Sequence, residues 1–149
     1  MSQQRHYPVP GGAVDPAHAA SRDVYLAEPV DAQASPAYRL ALTYIEYVQT
    51  RQYDKLPDLF TDDAVIFPPL RREPVVGREE IVDFYRNTIG KIAPVAKAVS
   101  IFGEGNECFM ELASRYEVDG EQRYILTTID HFTLAEDGRF NRMIVYLRP

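Results

Sequence analysis

Tryptophan is absent from the 149 residues, cysteine occurs once and histidine three times. The lone Cys108 excludes an intrachain disulfide and any multi-cysteine zinc site. His6, His18 and His131 lie far apart and form no metal-ligand spacing, so no metal is expected. No window approaches about 18 consecutive apolar residues, so no membrane-spanning helix and no membrane partner are expected. Basic residues are also scarce: 16 against 22 acidic ones leave a net charge of −6 and a pI near 5.0. A nucleic-acid binder needs a concentrated basic face, so that partner class is not expected either. The start of the chain lacks the basic stretch and apolar run of about 7–15 residues that mark an export signal, and a cytoplasmic location is expected. There is no Gly-rich phosphate loop, no nucleophile elbow and no His-Glu-x-x-His. A cofactor is therefore not expected.

What is present is an ordinary globular composition, 46% hydrophobic and 26% charged, in a chain of one domain's length. Ten tyrosines and seven phenylalanines are many for this size. A tyrosine has an apolar body and a polar tip, so such a set suits a greasy pocket with a few hydrogen-bond donors.

Residues 1–35 differ from the rest. They hold Pro8, Pro10, Pro16, Pro29 and the pair Gly11-Gly12, and no apolar stripe of either period. They read as an N-terminal arm, either a disordered tail or a strap or lid anchored by Tyr25 and Leu26. The compact domain spans 36–149. Ser35-Pro36 has the form of a helix start. Leu40, Tyr44, Ile45, Tyr47 and Val48 then follow at spacings of three and four, which predicts a helix to about Arg51. A short helix is expected at Tyr53–Phe60, a strand at Ala64–Phe67 ending at Pro68-Pro69, and a third helix at Arg78–Gly90 with Ile81, Phe84, Tyr85 and Ile89 inward. Four strands follow: Val95–Phe102, Cys108–Val118, Tyr124–Leu134 and Phe140–Leu147, with turn signals at Asp119-Gly120 and Asp137-Gly138. Helices first and then an antiparallel meander predict an α+β fold. Its expected form is a cone-shaped barrel, a strongly curved sheet wrapped around three N-terminal helices.

Asp130 stands in the middle of the third of these strands. Alternation puts Leu126, Thr128, Asp130, Phe132 and Leu134 on one face. If that face is the core, the acid loses hydration and its pKa rises. The opposite phase is also open, with His131 inside and Asp130 wet, because Ile125 and Ile129 make the other face apolar too. Tyr44 and Tyr85 lie on inner helical stripes, where a tyrosine can equally be core filler.

Tyr44-Ile45, the segment Leu59-Phe60-Thr61-Asp62-Asp63-Ala64-Val65, Gly77 with Ile81 and Phe84-Tyr85, and Ile129-Asp130-His131-Phe132 come in a familiar order. From Pro36 to Pro149 the chain resembles bacterial ketosteroid (steroid Δ5-) isomerases. More broadly it resembles the nuclear-transport-factor-2-like superfamily, which includes SnoaL-like polyketide cyclases. The resemblance implies that Tyr44 and a protonated Asp130 are the catalytic donors to a substrate oxyanion, with Tyr85 as the supporting tyrosine. Losing one such donor typically costs about 10²–10³ in rate. The resemblance also implies a hydrophobic pocket, and the substrate wall is expected from Phe67, Pro68, Phe84, Met110, Leu112, Tyr116, Leu126, Thr128 and Phe132. A homodimer is implied as well, with Phe109, Ala113, Ile129 and Val145 on its face.

One departure matters. The general base of these isomerases is a carboxylate just before a proline on the first strand, and that position here is Pro68, beside Phe67. Proline accepts no proton. Glu73, Asp63 or Asp130 itself could serve instead. The expected function is therefore a cofactor-free isomerase or cyclase acting on a hydrophobic carbonyl compound, steroid- or polyketide-like. Two alternatives stand beside it: a non-catalytic hydrophobic ligand-binding or dimerisation module, and an epoxide-opening cyclase that forms cyclic ethers.

Overall fold

The computed structural model describes residues 35–69 and 71–148, with backbone only at 115–118, 122–127 and 148. The arm expected over residues 1–35, with its anchors Tyr25 and Leu26, lies outside the described residues apart from Ser35. Helix α1 runs over Pro36–Gln49, with the Ser35 side chain accepting from the Tyr38 amide at 3.1 Å and proline in the first turn. That cap satisfies a backbone donor that the helix start leaves unpaired. Ala37, Ala41, Tyr44, Ile45 and Val48 form its buried stripe. A 3₁₀ segment, Tyr53–Leu59, follows.

The chain then enters β1 (Phe60–Phe67) and, after a loop, the two-residue β2 (Val75–Val76). Helix α2 (Gly77–Asp83) passes directly into a π turn, Phe84–Ile89, and a last helical turn, Gly90–Ile92. Gly90 was expected to stop this helix. Its amide instead bonds the Tyr85 carbonyl across the wide turn, and the helix ends at Ala93, whose φ is 45°. A Cβ at Gly90 would lie 3.0 Å from that same carbonyl oxygen, so a side chain there would press on the acceptor that closes the wide turn.

The remaining strands are β3 (Val95–Glu104), β4 (Glu107–Val118), β5 (Glu121–Leu134) and β6 (Phe140–Arg148). The sheet order is β2-β1-β6-β5-β4-β3. All pairings are antiparallel except β1 with β6, which is parallel. The architecture is the expected α+β one, three helical stretches against a curved sheet, but the sheet stays open. Register slips at Ala98/Ser100, Leu112/Ser114 and Thr133/Leu134 insert extra residues. Such bulges bend a strand and increase its twist.

Helix α1 packs across β3, β4 and β5. Gly103 on β3 permits this approach, since a Cβ there would lie 2.8 Å from Ser35 Oγ and from Tyr38 Cβ. Pairing fixes the phase of every strand on this concave side. Met110, Asp130 and Val145 lie in one cross-strand row, and Cys108, Phe132 and Met143 in the next. Thr128, Asp130, Phe132 and Leu134 are buried, while Ile129 is exposed on the convex side, as is the stacked pair Phe109–His131 in part. The phase with His131 inside is thus not the one adopted.

Candidate active site

Tyr44 and Tyr85 reach the concave side from two different helices. Tyr85 Oη donates to Tyr44 Oη at 3.1 Å and also lies 3.7 Å from Met143 Sδ. A hydroxyl carries one hydrogen and two lone pairs, so Tyr44 can accept from Tyr85 and keep its own hydrogen to give away. The Tyr44 ring is held edge-on against Phe132, with centroids 5.0 Å apart, and against Tyr85 at 6.2 Å. Such contacts restrict the ring and aim its hydroxyl.

Asp130 is 3% exposed. No side chain among the described residues hydrogen-bonds its carboxyl. Burial without a partner disfavours the carboxylate, and it pushes the acid from an ordinary 3.8 up to about 7. The charge it carries when ionised acts on three neighbours. Burial first, and then that charge, lift the Tyr44 phenol far above its usual range, while the hydrogen bond from Tyr85 pulls it back. Tyr85 is raised by burial, by Tyr44 and by Asp130. Cys108 is pushed up to about 12 by burial and then by Asp130, which makes it an inert thiol at neutral pH. Below neutrality the site is a cluster of protonated, uncharged groups that can donate hydrogen bonds.

The structure brings Tyr44, Tyr85 and Asp130 to one side of the sheet. Met110 lies opposite Asp130 and Leu112 opposite Thr128, both inward, and Phe132 floors the site beneath Tyr44. Phe84 is half-buried and packs edge-on to Tyr85 rather than beside Asp130. Phe67 requires a correction. It pairs with Ile144 on the convex side, is 38% exposed and lies under the Arg142 guanidinium. Ala64 and Ile66 take the inward positions of β1 instead, because the helices cover that face. Pro68 follows the end of β1, half-buried. The side chains of Tyr116 and Leu126 lie outside the described residues.

The alternative bases are corrected as well. Asp63 is exposed and lines a shallow groove on the convex face with Val65, Phe67, Thr133, Asn141 and Arg142. Glu73 is exposed in the loop before β2. Among the described residues Asp130 is the one buried carboxyl, and no group of His, Cys, Asp and Glu could hold a metal ion. Val145, expected on a dimer face, faces inward opposite Asp130, and Ala113 is fully buried. Met143 and Val145 were missed as site residues. Their pattern in the last strand is clear, but only the pairing of β6 with β5 tells which residue meets Asp130.

The profile of the SnoaL-like domain matches residues 41–143. Solved structures share the fold. The epoxide hydrolase/cyclase-like enzyme SalBIII, described for pyran ring formation in the polyether salinomycin, is 19% identical, with a TM-score of 0.66 over 73% of this chain and 88% of its own. RV0760c from Mycobacterium tuberculosis, in complex with estradiol-17beta-hemisuccinate, is 20% identical, with a TM-score of 0.68 over 75% of this chain and 93% of its own. A computationally designed 17-OHP binder is 17% identical, with a TM-score of 0.67 over 76% and 92%.

Proposed function

Because the chain belongs to the SnoaL-like domain family, we propose that it is a cofactor-free isomerase or cyclase that binds an apolar, oxygen-bearing molecule and acts on that oxygen. The observation that carries this reading is Asp130: a carboxyl 3% exposed, with no partner among the described residues, on the same side as a tyrosine whose own hydrogen is uncommitted. A buried acid without a partner is costly unless it stays protonated, and a protonated acid donates. Asp130 gives its proton or a hydrogen bond to the substrate oxygen. Tyr44 gives a second, and Tyr85 holds Tyr44.

The lack of a second buried carboxyl among the described residues supports ring closure over enolisation, since enolisation needs a base to take a carbon-bound proton. In ring closure the substrate brings its own nucleophile. Asp130 protonates the oxygen that leaves carbon, the substrate hydroxyl attacks that carbon, and its proton returns to the Asp130 carboxylate. The pocket holds the two ends together, which supplies much of the acceleration. The ring-forming reaction described for SalBIII and the steroid-type ligands of RV0760c and the designed binder support an apolar, oxygenated substrate.

Equilenin, a fluorescent phenol that mimics an enolate-like oxygen, tests this reading. Wild-type protein is expected to bind it, and Asp130→Asn to weaken binding at least tenfold on the scale of a lost charge-assisted hydrogen bond. Equilenin affinity indifferent to that change supports a passive hydrophobic pocket instead.

The reading includes a homodimer formed through the convex face. Phe102, Phe109, Ile129 and Tyr146 are exposed there, and contiguous apolar surface of this kind marks association sites. Phe109→Glu is expected to shift the sedimentation coefficient to that of a monomer. Wild-type protein that sediments as a monomer at micromolar concentration overturns the dimer.

A further inference from the structure

Thr61, Ser114, Thr128 and Asp130 are the buried polar side chains of the described residues. Thr61 gives its hydroxyl hydrogen to Asp63 at 2.9 Å. The other three have no hydrogen-bond partner among the described residues, and they occur together. Thr128 and Asp130 share the inward face of β5. Ser114 stands one inward position beyond Leu112, which pairs with Thr128. The rest of this wall is apolar: Met110 and Val145 flank Asp130, and Leu112 and Leu147 flank Thr128.

The wall is sealed at Phe132 and accessible at Leu147, which pairs with Thr128. Phe132 and Met110 are sealed, Asp130 is 3% exposed, Thr128 and Ser114 are 6% exposed, and Leu147 is 39% exposed. The open end therefore lies on the Thr128 side of Asp130. A molecule that reaches Asp130 past Leu147 passes Thr128, and Ser114 stands diagonal to Thr128 on the neighbouring strand. A nearly buried hydroxyl in an apolar wall costs stability unless a water or a ligand atom satisfies it. Methyl-bearing residues of the same size would fill these two positions at lower cost if the wall served only to pack.

We propose that Thr128 and Ser114 form a second oxygen subsite, and that the substrate is an elongated apolar molecule with two oxygen functions. Two strand residues at about 3.4 Å each separate the subsites by roughly 7 Å. The leading oxygen lies at Asp130 and Tyr44, and the trailing oxygen, as ketone, ether or hydroxyl, lies between the hydroxyls nearer the mouth. This rests on the oxygen-directed reading above and adds what the other end of the substrate must carry. Displacement of bound water by a substrate oxygen keeps the hydroxyls satisfied, whereas a purely hydrocarbon tail would leave them unpaired.

Two probes of nearly the same shape test it: naphthalene-2,6-diol, with an oxygen at each end, and 6-methyl-2-naphthol, with one. Titration calorimetry on the full chain is expected to show the diol binding about tenfold more tightly, beyond the twofold that its symmetry gives. Thr128→Val and Ser114→Ala should each reduce that advantage, and together they should leave only the symmetry factor. Neither should weaken 6-methyl-2-naphthol by more than about twofold, and Thr128→Val should melt no lower than wild type, since an unpaired hydroxyl is lost. If the diol has no advantage in wild type while Asp130→Asn still weakens 6-methyl-2-naphthol, the second subsite is overturned and the oxygen-directed reading stands. If the diol keeps an advantage that Thr128→Val removes while Asp130→Asn changes nothing, the subsite stands and the role of Asp130 is lost.

Discussion

Asp130→Asn is expected to flatten the pH dependence of stability between about pH 4 and pH 7. In the folded protein the carboxyl keeps its proton up to about 7, whereas an ordinary aspartate releases it near 3.8. Between those values the folded chain binds more protons than the unfolded one, so its stability falls as pH rises. The contribution of the neutral acid is complete below the lower value and is lost as pH climbs through the upper one. Three pH units at about 1.4 kcal/mol each give a loss on the order of 4 kcal/mol. Asparagine has nearly the same shape and no charge to bury. The variant should match wild type near pH 4 and exceed it by up to that order at pH 8. Urea unfolding of both proteins at several pH values measures the difference directly. Parallel profiles would show that Asp130 is solvated in solution, and the proton-donor reading would fall with it.

Tyr44→Phe is expected to weaken equilenin binding by about 10²-fold, the loss typical of one donor aimed at a developing oxyanion. The same change removes the acceptor of the Tyr85 hydroxyl. Tyr85 is then left with Met143 Sδ at 3.7 Å, a weak acceptor, which costs roughly 1–3 kcal/mol of stability. Tyr85→Phe acts differently. It leaves the Tyr44 hydrogen free to donate and removes only the bond that strengthens and orients it, so a loss of about tenfold or less follows. The order of the two effects is the diagnostic result, read by fluorescence titration. A larger loss for Tyr85→Phe would make Tyr85 the donor and Tyr44 its support.

Much of this arrangement was legible in the chain. Ser35-Pro36 and the stripe from Leu40 to Val48 defined α1 and faced Tyr44 inward, because a capped start and a helical period act locally. The inward phase of Asp130 was one of two readings, since Ile125 and Ile129 made both faces of β5 apolar. Only the pairing with Met110 and Val145 and the helix packed across them decide it. Phe67 was misplaced for the same reason. Val65 and Phe67 are as apolar as Ala64 and Ile66, and nothing local in β1 says on which side the helices lie. The parallel pairing of β1 with β6 joins residues distant in sequence, which no local pattern encodes. The π turn has no propensity signature, and Gly90 read as a stop where it is a hinge point of the wide turn.

That wide turn has a consequence for how such a pocket can change. A π turn takes up one extra residue without unwinding the helix on either side. The place of the Tyr85 hydroxyl therefore depends on this turn as well as on its bond to Tyr44. Gain or loss of a single residue there is expected to rotate a different side chain toward Tyr44, with β5 and its buried acid on a separate element. Chain length in this one segment is thus a route by which relatives can exchange the second phenol for another group and alter the reaction with the scaffold unchanged.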